Sequence, residues 1–345
     1  MKLSSKVWSA VGVLLIALAL AIWFVVVPSA TKFPSKTNTT QHYSGVANLL
    51  DAQALGRGDV AHAFISNAPV TMDRTVKAVK TSGNTVVVTD NSTVQVATQT
   101  LTDDHTYSIN RTNMLPTDPP NGQQVEHTDG YTVTLPIGPK GSGSSYRLND
   151  NATQQAFPLN YRAAAKVHGR NVYEYNSTGT GAVKSPSLLK TLPPALPSAI
   201  AAQLMPSLPT ASQEAIKQAG PIPPAIPLSY MATTNYDLQV DKQLGAPLSV
   251  AIDRTVTAYA DLGGKQIELL PVLQLNVKTT DQSVASAAKT AHKSGLMLTI
   301  MSTWLPTILT ILGVFLLLWT VWRELRRRRS APDAPVDDKQ PVNSH

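Results

Sequence analysis

The chain contains no cysteine in 345 residues. That excludes disulfide scaffolds, thiol nucleophiles, iron–sulfur clusters and Cys-based zinc sites. Charged residues are 15% and aromatics 6% of the chain, which suits neither a disordered acidic protein nor a charged coiled coil. The seven histidines (His42, His62, His105, His127, His168, His292 and His345) include no pair at a metal-binding helical spacing. Gly138 and Gly143 are spaced as in a phosphate loop, yet Ser144 stands where lysine is required, and there is no Gly-x-Ser-x-Gly elbow. Two acid–His clusters exist, Asp103-Asp104-His105 and Glu126-His127 with Asp129, and each reads as a polar turn. The expectation is a non-enzyme with no catalytic residue, no metal and no cofactor.

The net charge of +7 is unevenly spread. Residues 1–27 hold Lys2 and Lys6, and residues 296–345 hold six basic and four acidic side chains. The 268 residues between them hold 21 basic against 18 acidic. A basic excess confined to the ends is no footprint for nucleic acid, which is not expected as a partner.

What the chain does have is two long apolar runs. Val7 to Val27 is 21 residues without a charge, and Leu296 to Trp322 is 27, interrupted only by Pro306 and a few hydroxyl residues. At about 1.5 Å per residue the first spans about 31 Å, against a bilayer core of about 30 Å. A proline is tolerated in such a helix. All five tryptophans (Trp8, Trp23, Trp304, Trp319 and Trp322) lie in these runs, most near an end, as expected at a membrane interface. Arg323, Arg326, Arg327, Arg328 and Arg329 stop the second run against Lys289 and Lys293 on its other side, and Lys2 and Lys6 face Lys32 and Lys36. This bias predicts a two-pass plasma-membrane protein with cytoplasmic tails 1–6 and 323–345, spans 7–27 and 296–322, and residues 28–295 outside. Membrane lipids are the first expected partners, with the arginine cluster at the headgroups. The first run reads as an uncleaved signal anchor; a cleaved signal peptide is the competing reading, with Val27-Pro28-Ser29-Ala30 a weak cleavage site.

Residues 28–280 read as a mainly β, antiparallel exported domain. Seven segments rich in Val, Thr, Ile and Tyr are predicted strands: 69–79, 85–96, 131–137, 171–175, 230–240, 248–259 and 267–277. Turn chemistry separates them at Ser82-Gly83-Asn84, Asp129-Gly130, His168-Gly169 and Gly263-Gly264. An Asp-Arg-Thr-Val-x-Ala echo, at Asp73 and again at Asp253, raises a domain of two related halves against chance similarity of two β-rich strings. In both copies Asp and Arg point to opposite faces of a strand and need cross-strand partners.

Residues 186–227 break this pattern, with ten of the 25 prolines and only Lys190, Glu214 and Lys217 charged. Two short helices are predicted, from Ser198 to Met205 and from Thr210 to Gly220, the second with Gln213 in a capping box. The segment either packs on its own sheet or forms an apolar lid. In the lid reading Leu192, Leu196, Ile200, Leu204 and Leu208 are the ligand-facing residues. Residues 281–295 read as a helical stalk capped at Thr279-Thr280-Asp281, with Val284, Ala288 and Ala291 on one face.

The arrangement resembles the actinobacterial porin PorA-like family, envelope proteins carrying a domain of unknown function. The resemblance rests on the amino-terminal anchor, Val70 to Thr75, and Leu135-Pro136-Ile137-Gly138 leading to Tyr146. Further matches are Val167 to Tyr175 and Thr303-Trp304-Leu305-Pro306. It implies a protein of the Gram-positive envelope, in a family linked to lipid or lipoglycan assembly. An envelope glycolipid or lipoglycan, and other envelope-assembly membrane proteins, become the implied partners. Two functions follow: a non-catalytic module that binds or helps assemble an envelope lipid, or a scaffold that organises envelope machinery. The porin label is at odds with two apolar helices and β strands that carry no Trp.

The charge bias makes topology testable. Alkaline-phosphatase fusions at Asp150 should be active and fusions after Ser330 inactive. Activity at both points would remove the exported domain from the account.

Overall fold

The computed structural model describes residues 5–97 and 99–329. Its helices are α1 (Ser5–Ala21), α2 (Val27–Ala30), α3 (Ala52–Gly56), α4 (Pro186–Lys190), α5 (Ser198–Leu204), α6 (Thr210–Gln218), α7 (Asp281–Thr299) and α8 (Leu305–Arg329). Its strands are β1 (Asn38–Leu50), β2 (Phe64–Ser82), β3 (Thr85–Val96), β4 (Gln99–Asn110), β5 (Arg147–Asp150), β6 (Gln155–Pro158), β7 (Asn160–Val167), β8 (Arg170–Ala182), β9 (Ala195–Pro197), β10 (Ala225–Asp241), β11 (Pro247–Leu262) and β12 (Lys265–Thr279). They form two compact units, residues 32–295 and a helical unit from the two ends.

In the helical unit α1 packs on α8. The buried positions are Gly12 and Ala19 on α1, and Pro306, Gly313 and Thr320 on α8. Each set recurs every seven residues, the spacing of a left-handed helix pair, and most members are small, as helices in lipid require for close approach. A Cβ at Gly313 would lie 2.8 Å from Gly12 O, and Ser9 Oγ donates to Thr320 Oγ1 at 3.1 Å. Both helices widen into a π turn, Ile22–Val26 and Ile300–Trp304. Each turn lies just before a proline, Pro28 or Pro306. A proline has no N–H for the carbonyl four residues back, and its ring crowds that carbonyl.

The other unit is one antiparallel sheet in the order β4-β3-β2-β1-β12-β11-β10-β8-β7, with β9 beside the start of β10. A separate hairpin, β5-β6, lies off it. Among the described residues the path ends at β4 and β7. One face, the inner face, is apolar: β10 buries Tyr230, Ala232, Leu238 and Val240, and β11 buries Val250, Val256, Ala258 and Ala260. The outer side bears exposed polar cross-strand pairs such as Thr40–Thr75 (2.8 Å), His42–Asp73 (2.6 Å), Asn48–Gln274 (2.8 Å) and Thr180–Thr233 (2.9 Å).

Two covers bury the inner face. The first comprises residues 131–135 and the β5-β6 hairpin, with Tyr131, Val133, Leu135 and Leu159 in one cluster with Tyr43, Val70, Val88 and Val240. Gly179 on β8 makes room for this cover, since a Cβ there would lie 2.1 Å from the Phe157 ring. The second cover is the Pro-rich insertion, clustered with Ala258, Leu262, Ile267 and Leu269. The α7 helix adds Ala288 and Ala291 to a third cluster with Val172 and Leu248. Up to Gly295 it is therefore packed on the domain.

Several expectations need correction. Residues 131–137 alternate as a strand should, yet they make only an isolated bridge to Leu148. Their backbone bonds go to two separated places, Arg147 and Asn149 on β5 and Gly245 between β10 and β11, because the segment crosses the sheet instead of joining it. Asp103 and His105 sit inside strand β4, not in a turn. The helices at 198 and 210 are present, but Thr210 forms no capping box. Pro209 holds the cap position and Gln213 Nε2 instead donates to Leu208 O at 2.9 Å. The Asp-Arg echo falls on β2 and β11, the middle strands of two meanders, β1-β2-β3 and β10-β11-β12.

Candidate functional site

Strand alternation aims Arg74 of β2 and Arg254 of β11 into one cavity of about 120 Å³ on the inner face. Arg74 forks onto Asp90 of β3, with Nε–Oδ1 at 2.8 Å and Nη2–Oδ2 at 2.6 Å, and donates to Thr132 O at 3.1 Å. Arg254 has a different set of partners. It donates to Asp150 Oδ1 at 2.8 Å, Tyr236 OH at 3.0 Å and Thr234 Oγ1 at 3.0 Å. Asp150 comes from the β5 hairpin, so the two copies of the echo are not bonded equivalently.

Asp90 and Asp150 are each only 1% exposed. Burial raises the Asp150 pKa, but the Arg254 charge and hydrogen bonds from Thr153 and Tyr236 outweigh it and hold the carboxyl below its usual range. Removing one partner of such a pair strands a buried charge, at a cost of about 3–5 kcal/mol. The cavity wall between these pairs is apolar, with Val94, Leu148, Leu238 and Ile252, while Thr132, Asn149 and Asn151 add polar atoms.

A second buried polar cluster joins the two acid–His motifs that the sequence keeps apart. His105 is 4% exposed. Its Nδ1 lies 2.8 Å from Glu126 Oε2 and its Nε2 3.0 Å from Asp103 Oδ2, and its ring stacks on Tyr107 at 5.7 Å. Asp103 also accepts from Ser185, at 3.1 Å, and from Ser187, at the start of the insertion. The signal for this site was the alternation Asp103, His105, Tyr107 along one strand face, which the turn reading concealed.

The insertion residues are placed as follows. Leu196, Ile200, Leu204 and Leu208 are 5–8% exposed, and Leu192 packs partly buried on the same cluster. Leu196, Leu204 and Leu208 also line an apolar cavity of about 80 Å³ against Ala260, Leu262 and Leu269.

In the helical unit Trp8 meets Trp319 edge-on at 5.9 Å. Arg323 lies 5.5 Å from the Trp319 ring and Arg326 4.0 Å from that of Trp322, cation–π contacts suited to an interface. Trp8 to Trp23 and Trp304 to Trp319 are equal separations, about 22 Å of helix at about 1.5 Å per residue. Trp23 and Trp304 are both exposed at the opposite end. The side chains of Arg327, Arg328 and Arg329 lie outside the described set.

Comparison with family models matches residues 5–322 to one described as Porin PorA. The chain belongs to the porin PorA family. No curated protein matches it. Among solved structures it is similar to an N-terminal dehydratase from a difficidin assembly line, at 11% identity over 76% of this chain and 99% of that one. The TM-score of 0.13 is too low to carry an argument.

The His105 cluster gives this PorA-family chain a predicted pH dependence. Burial opposes charge on the ring, but Asp103 and Glu126 outweigh it and lift the pKa from 6.5 to about 9. The folded value exceeds the unfolded one, so the contribution is whole below pH 6.5 and lost as pH rises through 9. Asp103 behaves oppositely: despite burial, His105 and Ser187 hold its pKa below 3.8, so its contribution disappears on acidification. The melting temperature of the full chain should fall between pH 6.5 and 9, from a loss of about 3 kcal/mol at most. The variant His105→Gln should flatten that slope; an unchanged slope would remove the cluster as its cause.

Proposed function

We propose that this chain is a two-helix-anchored cell-envelope protein whose exported domain binds an amphiphilic envelope molecule, a lipid or lipoglycan, without catalysing a reaction. The inner-face cavity carries this reading. Apolar side chains from both meanders wall it while Arg74, Arg254, Thr132 and Asn149 converge on it, the combination expected of a small-molecule site. The lysine and arginine flanks support a plasma-membrane protein with both termini cytoplasmic.

The insertion belongs to the reading as a cover. The cavity beneath it, about 80 Å³, is about half the size of the engineered cavity that encloses one benzene. An acyl chain would therefore enter only with outward movement of Leu196, Leu204 and Leu208.

The family's description names a porin, and the reading departs from that word. A membrane barrel needs a closed ring of strands with an apolar outward band. The outward pairs in this sheet include Thr, Asn, Gln, His and Asp, and an exposed sheet edge is not stable in lipid.

Native mass spectrometry of the full-length chain extracted in detergent should detect one amphiphile retained per chain. A chain free of amphiphile, but held in a stable complex with other membrane proteins, would support the scaffold role instead.

A further inference from the structure

Two buried side chains in the cavity carry polar atoms that no described residue satisfies. Thr132 Oγ1 and Asn149 Oδ1 have no hydrogen-bond partner. Their residues are 8% and 6% exposed, and both line the cavity. A buried polar atom left unpaired destabilises the fold unless something enters to bond it.

The charges around the cavity are already balanced, which narrows what that something is. Arg74 is forked onto Asp90, and Arg254 onto Asp150 and Tyr236. An anion would meet guanidiniums that are already neutralised and the carboxylate of Asp103, which also lines the cavity. A carboxylate or phosphodiester would also have no proton to give Asn149 Oδ1. An ammonium could donate to Asn149 but would accept nothing from the spare N–H groups of Arg254. A hydroxyl both donates and accepts. It can serve each of Thr132, Arg254 and Asn149, as donor or acceptor, whichever way round the Asn149 amide is turned.

We propose that the cavity takes the hydroxyl-bearing part of the ligand, a polyol head such as a sugar ring or glycerol, with Thr132 and Asn149 as direct contacts and Arg254 as a further donor. The assignment rests on reading this cavity as the binding site and specifies which end of the amphiphile enters it. Its volume, about 120 Å³, is slightly below the roughly 150 Å³ that encloses one benzene. A three-carbon polyol, or one hydroxyl-bearing edge of a sugar ring, is the matching size, and an acyl chain is not. Val94, Leu148, Leu238 and Ile252 supply an apolar wall for the C–H faces of such a ring.

The test uses the full-length chain in lauryldimethylamine oxide, a detergent without a sugar head. Mannose and glycerol are each titrated and followed by saturation-transfer NMR, and inorganic phosphate by the line width of its phosphorus signal. Saturable binding of mannose or glycerol, with phosphate silent, is expected. The shape-conserving Thr132→Val and the larger change Asn149→Leu should each weaken it about 3- to 10-fold, the range for one neutral hydrogen bond. If Asn149→Leu fails to fold, Thr132→Val alone decides. Binding of phosphate without the polyols overturns the proposal, as does polyol binding indifferent to the substitutions. Binding of no probe also overturns it and leaves ordered water as the partner of both atoms. A retained amphiphile with no polyol binding sinks this assignment but spares the function proposed above. Polyol binding by a chain that retains no amphiphile does the reverse.

Discussion

The pairing of β1 with β12 is the constraint on which the β domain depends. Seven residue pairs, from Tyr43–Thr279 to Leu49–Leu273, join a meander made by the first third of the domain to one made by its last third. Gly45 stands at this seam opposite Val277, and a Cβ there would lie 1.9 Å from Asn276 O. Any larger residue would force the two strands apart. With the seam intact, Arg74 and Arg254 share one cavity although 180 positions separate them. Without it each meander would expose its inner face and neither half would hold the site.

A long apolar face must be covered, and the sequence supplies two unlike covers. The segment at 131–159 places Tyr131, Leu135 and the β5-β6 hairpin over one cluster, and the Pro-rich insertion places Leu196, Ile200 and Leu204 over the other. The charges of Arg254, Asp150, Asp103 and His105 draw on both covers and the loop before the first: Asp150 comes from the first cover, Glu126 from that loop, and Ser185 and Ser187 from the start of the second. Buried ion pairs are weak evidence for stability. Their convergence beside unpaired polar atoms makes better sense as a site than as a means of holding the sheet together.

Much of this was legible in the sequence, because the signals were strong where physics leaves few options. Two uncharged runs with every tryptophan could only be buried helices or spans, and the Val- and Ile-rich segments of β2, β3, β10, β11 and β12 alternate plainly. What escaped were strands whose outward positions are polar or small. Strand β1 reads Asn-Thr-Thr-Gln-His-Tyr, since its outer face bears pairs such as His42–Asp73. The strand predicted at 171–175 stops short of Gly179, because the Phe157 ring that this glycine accommodates belongs to another element. Residues 131–137 carry a strand's alternation for a different reason, burial beneath a sheet they do not join. The meeting of Asp103, His105 and Glu126 was equally invisible: it depends on where a loop returns, which local periodicity does not encode.

Hydrogen–deuterium exchange on the full-length chain tests the seam most directly. The account predicts that residues 43–49 and 273–279 are among the slowest to exchange, that they open together, and that Gly45→Val removes protection from both at once. Fast exchange of either segment while β2, β3, β10 and β11 stay protected would contradict it, since two independent meanders would then replace the single sheet.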